Sequence, residues 1–124
     1  MSTGYGGRHS GDLWHPNMDV YETGEAVVVA LEVPGVRPGD LTVIQQGDRL
    51  LVRGVRHPGK CENALRFHQI EIVCGPFEKE IVLPKGLSGG SVEASLALGI
   101  LSLRIRKRGA ADNAPEHKID IEAR

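Results

Sequence analysis

Cys61, His68 and Cys74 are the side chains of this sequence that could act together on a metal ion, because thiolate sulfur and imidazole nitrogen are the preferred ligands of zinc. Their spacings are seven and six residues, without the Cys-x-x-Cys pair or the fourth ligand of a structural zinc site, so both cysteines read as plain thiols and no metal is expected. Cys61 lies in the polar stretch 57–63, where oxidation could link two subunits. No serine is framed by a Gly-x-Ser-x-Gly elbow, and no other set of nucleophile and base stands out. Gly4, Gly6 and Gly7 precede no strand-to-helix turn and lack the Lys-Ser/Thr ending of a phosphate loop, so ATP is not implied. His9, His15 and His117 fall in flexible or edge segments and read as solvated. Arg104, Arg106, Lys107 and Arg108 read as a solvated strand face rather than a nucleic-acid surface. The expectation is a protein without catalytic residues, cofactor or metal.

What remains is recognition. Ile119 and Ile121 are apolar and β-branched in an otherwise polar tail, and alternate positions of an extended strand point the same way. They form a two-knob plug that so short a tail cannot bury within itself, and which therefore seeks a groove on another surface or a neighbouring subunit. That pattern indicates an assembling protein rather than a self-contained enzyme.

The elements that would carry such a plug follow from the rest of the chain. Its 124 residues make one domain, large enough to bury roughly two thirds of the unfolded surface. Fifteen basic against sixteen acidic residues favour neither nucleic acid nor an anionic membrane. No apolar run approaches the roughly 20 residues that span a bilayer, and the start has no apolar secretory stretch. With two cysteines and no disulfide framework, a cytoplasmic location is expected. One Trp, two Tyr and two Phe are too few to line a large aromatic pocket.

Residues 1–13 are Gly-rich and polar and read as a mobile arm. Residues 14–108 form short alternating segments divided by Gly and Pro, and residues 109–124 form a flexible tether ending in the plug. Residues 18–22 read as an edge strand and 25–33 as a buried one, stopped by Pro34 and Gly35. Residues 41–46 and 49–53 make a hairpin across Gly47 and Asp48. Residues 65–73 return to strand character, 77–83 alternate, and two further segments place Val92, Ala94, Leu96 and Leu101, Leu103, Ile105 inward. No segment has a helical apolar period. Seven or eight strands so spaced predict an all-β, immunoglobulin-like antiparallel sandwich.

Trp14-His15-Pro16 followed by Asp19 to Glu22, Val33-Pro34-Gly35-Val36 with Asp40-Leu41, and Leu51 to Gly54 resemble the α-crystallin domain of small heat shock proteins, the Hsp20 family. Glu71, Gly75-Pro76-Phe77 and Leu83-Pro84 continue the resemblance. Its strongest parts are Ala94, Gly99 and Leu101, which match the A-x-x-x-x-G-x-L signature, and Ile119-Asp120-Ile121, which matches the C-terminal I-x-I motif. The matches cover residues 14 to 121 in order. The residues agree independently: Gly99 lies between two alternating strands, where a positive φ is cheap only for Gly.

The resemblance implies that Ile119 and Ile121 dock on an adjacent subunit's sandwich, with Leu41 and Val43 as groove residues. It implies that Phe67, His68, Gln69 and Ile70 form a strand that pairs with the partner's first strand at Met18 and Val20, an exchange that would also satisfy an open edge. The chain departs from the family where Leu98 replaces the usual Asn or Asp before the signature Gly, and Leu98 is expected to pack under a neighbour. Lys79 stands where Arg is common and keeps the charge without the bidentate fork. The arm holds no Phe-rich stretch. The implied function is an ATP-independent holdase that binds partly unfolded proteins, as a homo-oligomer or together with other small heat shock proteins. A p23-like or CS-type co-chaperone adaptor is the alternative.

Overall fold

A computed structural model describes residues 14–84, 87, 90–107 and 117–124. The arm 1–13 and the tether 109–116 lie outside the described residues. The strands are β1 (Met18–Glu22), β2 (Ala26–Glu32), β3 (Leu41–Gln46), β4 (Arg49–Arg56), β5 (Gly75–Val82), β6 (Val92–Ala97), β7 (Ile100–Arg106), β8 (His117–Ile119) and β9 (Ile121–Ala123), with a 3-10 turn at Pro38–Asp40. They form a five-stranded sheet in the order β1-β2-β7-β6-β9 and a four-stranded sheet in the order β5-β4-β3-β8. The two sheets make the expected all-β sandwich.

Period-two patterning explains the layers. On β7, Leu101, Leu103 and Ile105 are fully buried while Ser102 and Arg104 face outward. Val27, Val29 and Leu31 of β2, Val43 of β3, and Leu50 and Val52 of β4 complete an almost wholly aliphatic core. Branched side chains standing on two pleated sheets interdigitate well, so few aromatic rings are needed. The β3–β4 hairpin forms in the expected register, Gln46 opposite Arg49, with Gly47 at φ +61°.

Two expectations need correction. Residues 65–73 are irregular rather than strand, because no strand edge among the described residues accepts them, and β character is realised only in a ladder. Leu98 packs under nothing: it is fully exposed, with φ +52°. Ala97 pairs with Ile100, so Leu98 and Gly99 form a two-residue hairpin turn with φ +52° and +79°. Positive φ at both central residues turns the strands tightly and sends the Leu98 side chain outward.

Candidate functional site

The tail lies across two sheet edges at once. β8 pairs antiparallel with β3, placing His117 opposite Gln45, Lys118 opposite Ile44 and Ile119 opposite Val43. After Asp120 the chain crosses to the other sheet, where β9 runs parallel to β6 with Ile121 opposite Ala94 and Ala123 opposite Leu96. The Arg124 backbone N–H donates to the Leu96 carbonyl at 2.8 Å. Ile119 is 7% exposed and belongs to the core, and Ile121 packs against it half-buried. The structure therefore brings Ile119 together with Val43 within one chain. Leu41, two positions along β3, is buried with its Cδ2 beside Gly54.

Gln45, which sequence reasoning passed over, fastens the floor of this groove. It is the one buried polar side chain among the described residues, and its Nε2 donates to the Gly90 carbonyl at 2.9 Å. That bond ties β3 of one sheet to the approach to β6 of the other. The signal was a polar residue in the inward series Leu41, Val43, Gln45, because a buried amide must find a partner. Gly90 has no room for a side chain: an added Cβ would lie 2.8 Å from the Arg106 carbonyl oxygen.

The signature residues position this edge. Ala94 and Leu101 are buried on neighbouring strands, and the Gly99 carbonyl accepts from the Val33 N–H at 2.7 Å. A Cβ on Gly99 would meet Pro34 Cα at 3.1 Å. The turn is thus packed against the end of β2 from below while Leu98 stands free of it above.

A second surface flanks the opposite end of the sandwich. β1 pairs with β2 on one side, Met18 opposite Leu31 and Val20 opposite Val29, and ends the five-stranded sheet on the other. Val20 and Tyr21 are half-exposed there. Within the chain, Phe67, His68, Gln69 and Ile70 form no ladder with Met18 and Val20, and Leu65 and Ile72 project into solvent. Arg56 straps the base of this loop. Its Nε donates to the Val73 carbonyl at 2.9 Å, Nη2 to the same oxygen, and Nη1 to the Pro34 carbonyl at 3.1 Å. The guanidinium also lies 3.9 Å from the Trp14 ring centre. Trp14 meets Phe77 edge to face at 5.1 Å.

Among the described residues no three His, Cys, Asp or Glu side chains gather where they could hold a metal ion. No helix among them is long and apolar enough to cross a membrane. The ion pairs Arg49–Glu80 and Arg53–Glu78, both at 2.8 Å, are half-exposed rungs on the outer face of β4 and β5.

The model of the Hsp20/alpha crystallin family matches residues 19–122. Spore protein SP21 of Stigmatella aurantiaca is 39% identical over 93 residues, covering 75% of this chain and 55% of that protein. The 17.8 kDa class I heat shock protein of Arabidopsis thaliana is 31% identical over 111 residues, covering 88% and 71%. The chain spans about half the length of some of the curated relatives it matches. The hspA structure from Xanthomonas axonopodis superposes with a TM-score of 0.70 at 30% identity, covering 81% of this chain and 100% of that one. The structure of a small heat-shock protein from Xylella fastidiosa gives 0.71 at 29% identity, covering 82% and 93%. With the family model spanning both sheets and the tail, the chain belongs to the Hsp20/alpha crystallin family of small heat shock proteins.

Proposed function

We propose that this protein is an ATP-independent holdase of the cytoplasm, which shelters partly unfolded proteins through apolar surface that its own tail covers at rest. One observation carries the reading: Ile119 and Ile121 lie across the edges of both sheets as a short peptide. Burying two Ile side chains contributes about 3–6 kcal/mol. Ordering the tail costs about 1–2 kcal/mol per residue. The hydrogen bonds that the tail makes to β3 and β6 add about 0.5–1.5 kcal/mol each. With them the opposing sums are of similar size, so the cover is detachable and its open fraction rises under stress. Membership of the family supports the same mechanism, in which no covalent step occurs and no residue acts as a catalyst.

Assembly uses the same surfaces. A groove that accepts the tail of its own chain accepts that of a second copy equally well, with Val43 and Leu41 in the receiving strand, and such exchange of identical elements builds oligomers. Phe67, His68, Gln69 and Ile70 gain in a partner the edge that their own chain does not give them, at Met18 and Val20 of β1. Residues 14–108 act as the folded domain, with 1–13 as an arm and 109–124 as the extension.

Heating citrate synthase with the protein tests the reading. Scattering from the aggregating enzyme is suppressed without nucleotide. Suppression only with ATP, or none at any ratio, overturns it. A p23-like adaptor remains a monomer at rest and when heated, a mass readily seen by light scattering on a sizing column.

A further inference from the structure

Cys61 and Cys74 lie near the two ends of the irregular segment that joins β4 to β5, and both line one hollow of about 200 Å³ with Phe67, Ile70 and Ile72. Cys61 is exposed and Cys74 is buried. Each thiol donates to a carbonyl two residues before it, Cys61 to Gly59 at 3.7 Å and Cys74 to Ile72 at 3.8 Å. A turn after Cys61 sends the chain back: the Ala64 N–H donates to the Cys61 carbonyl at 3.2 Å, and Asn63 takes φ +64°. Cys74 is fixed between Val73, whose carbonyl Arg56 holds, and the first residue of β5. Cys61 rides on a segment with no ladder to break, so it is the partner that moves.

We propose that Cys61 and Cys74 are a redox site, at which hydrogen peroxide forms a reversible disulfide that ties down the β4–β5 loop. The Cys61 thiolate attacks one peroxide oxygen; the S–O bond forms, the O–O bond breaks, and hydroxide leaves as water with the thiol proton. The Cys74 thiolate then attacks the Cys61 sulfur; the S–S bond forms, the S–O bond breaks, and a second water leaves with the Cys74 proton. Two thiols are oxidised and one peroxide is reduced to two waters. Exposure of Cys61 makes it the thiol that meets peroxide, and burial of Cys74 makes it the resolving one.

The consequence rests on the strand exchange proposed above. Phe67 and Ile70 form walls of the same hollow, so a bond across it holds them against the base of their own loop. They are then unable to extend to a partner's β1. Peroxide would release the partner, and a reductant restore it.

The experiment treats the whole protein with hydrogen peroxide, alkylates it and resolves it without reductant. A monomer-sized band that has lost two hydrogens, contains a Cys61–Cys74 linked peptide and reverts with dithiothreitol is the expected result. Cys61→Ser abolishes it, and Cys74→Ala serves as the second variant. A covalent dimer through Cys61, or sulfinic acid at Cys61 with Cys74 still alkylated, overturns the site. On a sizing column the oxidised wild type runs at a lower mass than its reduced form, whereas Cys61→Ser does not change. A linked peptide with unchanged mass overturns the switch. Phe67→Asp in reduced protein tests the exchange separately. A lower mass there, with no disulfide in the wild type, overturns the thiol pair alone; a disulfide in the wild type with Phe67→Asp at the reduced wild-type mass overturns the exchange alone.

Discussion

Ile119 stands directly across the β3–β8 ladder from Val43, and the next residue but one belongs to the other sheet. One residue, Asp120, suffices for the crossing because the tail runs along the seam where β3 and β6 form neighbouring sheet edges. Alternation keeps both isoleucines facing the core while each enters a different ladder. A spacing of one would turn one side chain to solvent, and a spacing of three would bulge the crossing. The motif is therefore a clasp over two edges as well as an apolar plug.

The two isoleucines are unequal. Ile119 lies within the core and Ile121 only packs on it. Ile119→Ala therefore loosens the tail by about 2 kcal/mol and Ile121→Ala by about 1 kcal/mol, below the range for fully enclosed sites because the tail can leave rather than retain a cavity. Amide exchange of residues 117–123 shows the order of the two effects, and equal protection in both variants would contradict it.

Gln45→Leu removes the amide that bridges β3 to Gly90 and leaves a buried carbonyl without its donor. The unmet carbonyl costs about 1–3 kcal/mol, and added apolar burial offsets only part of it. The urea midpoint falls, and the seam loosens beneath the tail even where Ile119 and Ile121 are intact. An unchanged midpoint with unchanged protection of β8 would mean that the bridge carries no weight.

What the sequence made legible was whatever alternation and turn chemistry determine. The β3–β4 hairpin around Gly47, the inward row Leu101, Leu103, Ile105 and the positive φ of Gly99 all follow from contacts a few residues apart. The paired isoleucines of the tail were legible, but the ladders they form within the chain depend on the juxtaposition of β3 and β6, distant in sequence. Residues 65–73 misled because apolar alternation marks only a capacity for pairing, and no strand among the described residues pairs with them. Leu98 departs from its expectation because the register of Ala97 and Ile100 fixes its backbone before its hydrophobicity can act. Arg56 was missed because its partners are backbone carbonyls and a ring brought together only by folding.

Leu98 offers a gain in stability. A leucine in the left-handed region, fully exposed, gains no burial to offset its strain. Leu98→Asn relieves about 0.5–1 kcal/mol, since Asn tolerates that region by local hydrogen bonding. Gly99→Val acts in the opposite sense by about 2 kcal/mol or more, combining strain with the approach to Pro34. Thermal midpoints shifting in opposite directions, by several degrees each, check both; a lower midpoint for Leu98→Asn would refute the turn geometry.

Gly54→Ala tests the closeness of β4 to β5. An added Cβ would overlap the Phe77 ring and sit 2.9 Å from Leu41 Cδ2. Neither can retreat easily, since Phe77 abuts Trp14 and Leu41 is core. A loss of about 1–3 kcal/mol follows, as for other overpacked sites. Phe77→Leu combined with Gly54→Ala should recover part of it. Chemical denaturation of the single and double variants measures the coupling, and strict additivity would show that the two sites do not meet.

Arg56→Lys isolates the strap from its charge. Lysine keeps the positive charge but cannot span the Val73 and Pro34 carbonyls with a planar fork, and its ammonium does not lie flat on Trp14. The carbonyls are solvent-accessible enough to find water, so the loss falls at about 1–2 kcal/mol, from two neutral acceptors and one cation–π contact. It also falls locally: the sandwich remains, and the base of the loop opens. Chymotrypsin then cuts faster at Phe67, which lies in the strapped segment, while the β7 core stays protected. Trp14 is the only tryptophan in the chain, so its emission reports loss of the stacked cation without a label. If Arg56→Lys left both the Phe67 cut and the Trp14 emission as in the wild type, the loop would be held by something other than this side chain, and the position of Val73 would have to be explained by the start of β5 alone.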